Sequence, residues 1–105
     1  MEKVRFISVP LNEQGMDDYN YGVEDSKNIT EIKLDEDKFD KVYFSRVFND
    51  INEKCNLLID DYESEVIKGE NLKIALDISK KKKCGVLIQA IELAIEKNTL
   101  VGLDF

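Results

Sequence analysis

Across residues 86–97 the only polar side chains are Gln89, Glu92, Glu96 and Lys97, and the first three step by three and four residues. Everything else in the segment is Val, Leu, Ile or Ala. An apolar arc that wide on a helix must be covered from more than one side, leaving a single narrow wet edge. A chain of 105 residues can supply such cover only by wrapping its other elements around this helix. One domain over residues 1–105, with one modest core, is therefore expected.

A second stripe runs through Phe44, Phe48, Ile51, Cys55, Leu58 and Tyr62, spaced by four and three residues in alternation. It predicts one continuous amphipathic helix from about residue 38 to at least residue 58. Asp35, Glu36 and Asp37 precede it as N-cap and first-turn acids. Residues 60–67 read equally as a last turn, a loop or a short strand. Gly69 breaks the pattern, and Glu70 opens a helix through Leu72, Ala75, Leu76 and Ser79. The lysines at 80–83 fall at its C-terminal end, where cations suit the dipole and lie in water.

Residues 3–9 and 29–34 read as strands, the first ended by Pro10, which lacks a ladder donor. Residues 11–28 show no period and read as a long loop. After Asn98 as a C-cap, residues 99–105 read as a closing strand that must be paired to be ordered. The expected fold is two-layer α+β, with about three mostly antiparallel strands and three helices on one face. Phe44, Phe48, Ile51, Leu58, Leu87, Ile88, Ile91 and Ile95 are its expected core.

The formal charge is −7, with no histidine and no tryptophan. Chemistry needing an imidazole base or ligand is thereby excluded, as is a nucleic-acid binder working through a global positive field. The imbalance is uneven: residues 1–70 carry −9 and residues 71–105 carry +2. No stretch has the apolar length of a secretory signal or a membrane span, so a cytoplasmic protein without a membrane partner is expected. Cys55 and Cys84 lie 29 residues apart without a C-x-x-C spacing, which predicts two free buried thiols in a reducing compartment.

Two acidic clusters contain tyrosine: residues 17–25, with Asp17, Asp18, Tyr19, Tyr21, Glu24 and Asp25, and residues 60–65, with Asp60, Asp61, Tyr62 and Glu63. Calcium-loop spacing fails at Phe39, and no cofactor is implied. A magnesium or manganese site on Asp60, Asp61 and Glu63 is an alternative. Tyr62 continues the apolar ladder and belongs with the core edge. Tyr19 and Tyr21 sit on no periodic face and are expected to be exposed. Tyrosine is enriched at binding hot spots, and acidic rims speed association with basic partners. The expected partner-binding face is Asp17, Asp18, Tyr19, Tyr21, Asp60, Asp61 and Glu63.

The run Asp60-Asp61-Tyr62-Glu63 after a long amphipathic helix, with Thr99-Leu100-Val101-Gly102-Leu103-Asp104-Phe105 at the end, resembles the small acidic immunity proteins that bacteria encode beside polymorphic and contact-dependent toxins. The resemblance covers residues 44–105 in order of elements. It implies a non-catalytic protein that blocks a toxin domain stoichiometrically, and the acidic face is consistent with that domain being basic. The alternatives are a small regulatory or adaptor domain of another complex, and a metal-dependent enzyme built on the acidic cluster.

Overall fold

A computed structural model describes residues 4–60 and 64–105. The elements run β1 (Arg5–Pro10), α1 (Glu13–Asn20), β2 (Ile29–Leu34), α2 (Glu36–Phe44), α3 (Val47–Cys55), β3 (Ser64–Lys68), α4 (Glu70–Lys81), α5 (Gly85–Lys97) and β4 (Leu100–Asp104). The fold is α+β, with four strands rather than three and five helices rather than three among the described residues. The strands form one antiparallel sheet in the order β2-β1-β4-β3. The closing strand β4 is thus central, paired on one side with β1 and on the other with β3.

Strand alternation separates the two faces of this sheet. Ile7 and Val9 of β1, Leu34 of β2, Ile67 of β3 and Val101 and Leu103 of β4 point into the core. There they meet Phe39 and Val42 of α2, Val47, Phe48 and Ile51 of α3, Leu72 and Ala75 of α4, and Leu87, Ala90, Ile91 and Ala94 of α5. Helices α2 to α5 therefore cover one face. Arg5 shares the inward parity of Ile7 and Val9, while Val4 is exposed. The guanidinium takes this place by stacking 3.9 Å from the centre of the Phe39 ring, a cation–π contact that suits Arg.

The continuous helix expected over residues 38–58 is broken in two. The Ser45 hydroxyl donates to the Val42 carbonyl (2.6 Å) and accepts from the Val47 N–H (3.3 Å), replacing helical backbone bonds with local ones. Arg46 then adopts a left-handed conformation, φ 68°, which turns the chain between α2 and α3. The stripe loses its phase at that point. Phe48 and Ile51 are buried as expected, but Phe44 and Leu58 are each 75% exposed. Helix α3 ends at Asn56, also left-handed, so Leu58 lies beyond it on a segment held by the Asn52 side chain.

In α5, Leu87, Ala90, Ile91 and Ala94 form the buried centre of the arc. Ile88 and Ile95, seven residues apart and so on one margin, are half-buried and exposed respectively, which corrects both expectations. Asp35 caps α2 by accepting from the Lys38 N–H (2.8 Å), and Asn98 caps α5 in the left-handed region. Cys55 and Cys84 are free and buried, and burial raises both thiols above their ordinary value. Tyr62 lies outside the described residues.

Candidate functional site

The expected loop over residues 11–28 contains a two-turn helix. Asn12 caps it by accepting from the Gly15 N–H (2.8 Å), and Leu11 N–H donates to the Asn28 carbonyl (2.8 Å). Gly15 is required there: a Cβ would overlap the Asn28 carbonyl oxygen. This close approach fixes where α1 leaves the sheet. Asp18 braces the return of the chain, accepting from Ser26 Oγ (2.6 Å) and Gln14 Nε2 (2.9 Å). Those two hydrogen bonds, Ser26 first, hold its carboxyl below the usual aspartate value.

Helix α1 lies on the sheet face that α2 to α5 leave open. Its Tyr19 is half-buried, against the expectation of an exposed side chain, with the phenol lying on Gly102 of β4. Gly102 has the opposite parity to Val101 and Leu103, so Tyr19 marks the outer face. The hydroxyl donates to Asp104 Oδ1 (2.9 Å), and Ser8 Oγ donates to Asp104 Oδ2 (3.0 Å). Burial first, then the Asp104 charge, push the Tyr19 hydroxyl well above the usual tyrosine value. Tyr19 therefore keeps its proton in the folded chain when the unfolded chain, at about pH 10, would release it. The stability it contributes is fully present below pH ~10 and is lost as pH rises above that value. Tyr19→Phe should flatten the alkaline limb of a pH–melting profile, and an unchanged limb would contradict the hydrogen bond to Asp104.

Around this anchor the open face forms a groove of about 820 Å³. Phe6, Ser8, Val66 and Asp104 make its floor from three strands, and Tyr19 with the turn that follows α1 makes one wall. The carboxylates of Glu24, Asp25, Glu31 and Asp104 line it, and no lysine or arginine does among the described residues. Glu65 borders it only from its place in β3, with a side chain on the Leu103 side. Of the lining carboxylates Asp104 has structural partners, as above; the Glu65 carboxylate, on the other face, accepts from the Leu58 N–H (3.2 Å) and the Val66 N–H (3.0 Å). Glu24, Asp25 and Glu31 are exposed to solvent at the rim.

The residues singled out from the sequence are only partly united. Tyr19 lines the groove, and Tyr21, 83% exposed at the end of α1, stands between the groove residues Asn20 and Gly22. Asp17 is exposed on α1, and Asp18 is committed to its brace. Asp60 belongs to a separate depression with Tyr43, Phe48, Asn52 and Leu58, where the Tyr43 hydroxyl approaches its carboxylate at 3.4 Å. Asp61 and Glu63 lie outside the described residues. Among those described, no three carboxylates or thiols gather as a metal-ligand set. Glu31 and Asp104 were missed because neither belongs to an acidic cluster in the sequence and only the sheet order brings them together. No helix is long and apolar enough to cross a membrane among the described residues. No family model, no curated protein and no solved structure matches the chain.

Proposed function

We propose that this chain is a non-catalytic binding module of immunity type, holding a basic toxin domain against the open face of its sheet. The carrying observation is the groove lining: four carboxylates, no basic side chain among the described residues, and aromatic area from Phe6 and Tyr19. Carboxylates at a rim steer a cationic partner and set its orientation. Tyrosine supplies contact area at low entropic cost, and the docked Tyr19 is already ordered before any partner arrives. The immunity role itself comes from the family resemblance, and the acidic groove supports it by offering the complementary charge.

The test is biological. Production of this chain should restore growth to cells making the protein encoded immediately upstream of its gene. The Glu24→Lys/Glu31→Lys variant should lose that protection while folding normally. Absence of toxicity in the neighbour, or protection untouched by the reversals, would overturn the reading.

A further inference from the structure

In a chain of net charge −7, five lysines border one cavity, four of them with side chains on its side of the sheet. It measures about 470 Å³ and receives Lys38 and Lys41 from α2 and Lys82 and Lys83 from the turn between α4 and α5, while Lys33 borders it from β2 with its side chain on the opposite face, beside Phe6. No carboxylate lines it among the described residues. Lys82 is held by Asp50 at 3.4 Å, whereas Lys38, Lys41 and Lys83 have no carboxylate within ion-pair distance among the described residues. All three are exposed and able to turn inward. The wall behind them is apolar, with Leu34, Val42 and Val86.

The start of α5 enters the same cavity. Gly85 and Val86, its first two residues, line the wall, and α5 has neither an acidic residue in its first turn nor a side-chain cap. The amide end of a helix carries roughly half a positive charge. It adds to the lysines rather than offsetting them. Such a concentration of one sign around a concave, partly apolar space costs repulsion unless an anion occupies it.

We propose that this cavity binds a small phosphorylated molecule, a phosphomonoester or diphosphate on an apolar or aromatic body. The ammonium groups and the first amides of α5 take the phosphate oxygens, and Leu34, Val42 and Val86 take the body. Phosphate is favoured over carboxylate because one group carries close to two charges and three strong acceptor oxygens. A small molecule is favoured over nucleic acid by the volume, which falls in the usual range for ligand sites of ~300–1,000 Å³. The acidic surface elsewhere would repel a long polyanion. This site is distinct from the sheet groove and does not depend on the immunity reading.

Calorimetric titration of the full chain with pyrophosphate, ADP and adenosine tests it. ADP should bind, pyrophosphate should bind more weakly, and adenosine should give no heat. Lys38→Gln, Lys41→Gln and Lys83→Gln should each weaken ADP about tenfold, while Lys73→Gln and Lys97→Gln, remote from the cavity, should not. Matching melting curves would show that every variant folds. Binding only to vesicles containing a phosphoinositide, lost in the same three variants, would uphold the site and place the phosphate on a lipid. Three results would overturn it: no response to pyrophosphate, ADP or the vesicles, ADP binding that ignores the three lysines, or tighter binding of a single-stranded oligonucleotide than of ADP.

Discussion

Phe48→Ala should lower stability by about 3–5 kcal/mol, and Phe44→Ala, one helical turn away in sequence, by less than about 0.5 kcal/mol. Phe48 is buried with its ring centre 5.4 Å from that of Phe105, which in turn meets Phe39 edge-on at 5.0 Å. Removing it opens a cavity where α2, α3 and β4 converge. Against a total stability of about 5–15 kcal/mol for an ordinary domain, that loss brings the chain close to unfolding. Phe44 touches Tyr43 edge-on at 5.6 Å and otherwise faces solvent. Urea denaturation of the two variants distinguishes the broken helix from a continuous one, because an unbroken stripe would make both substitutions costly.

Gly102→Ala should destabilise by about 1–3 kcal/mol, although alanine suits a strand better than glycine does. The added Cβ overlaps the Tyr19 phenol, so the ring must leave its seat and surrender the bond to Asp104. In a Tyr19→Ala background the same substitution should cost nothing or stabilise by about 0.4–1 kcal/mol, since glycine's excess freedom in the unfolded chain is removed. Equal costs in the two backgrounds, measured as a double-mutant cycle, would mean that Tyr19 is not docked. The single variant should also weaken partner binding, because an unseated Tyr19 removes one wall of the groove.

What the sequence discloses here is local. The apolar arc of α5, the Asp35 cap, the Asn98 cap and the bounds of β2 each depend on residues within a few positions of one another. The break at Ser45 and Arg46 carries no glycine or proline, and depends on a hydroxyl bonding the backbone in preference to extending a helix. Helix α1 was hidden because Met16 and Tyr19 are its main apolar residues and Gly15 reads as a breaker, when its absent Cβ is what lets α1 approach Asn28. Strand β3 stayed among three readings because five residues cannot set a period alone. The acidic turn and Tyr19 could be found as parts of a site. Their partners Glu31 and Asp104 could not, because they join it only through the β2-β1-β4 order, and Asp60 was drawn away to Tyr43 by the turn that ends α3. The lysines of the second cavity were similarly scattered, and the run at 80–83 alone looks like a solvated helix end.

The most direct measurement of the central claim is the association rate of the neutralised basic domain with the wild type and with Glu24→Lys/Glu31→Lys, followed by stopped flow over a range of ionic strength. Both positions are exposed at the groove rim, so the variant should keep the wild-type circular dichroism and melting curve. The groove predicts a wild-type rate that falls steeply with salt, and a variant rate about tenfold lower at low salt with a flatter dependence. Identical rates and identical salt slopes for the two proteins would contradict binding at the open face of the sheet.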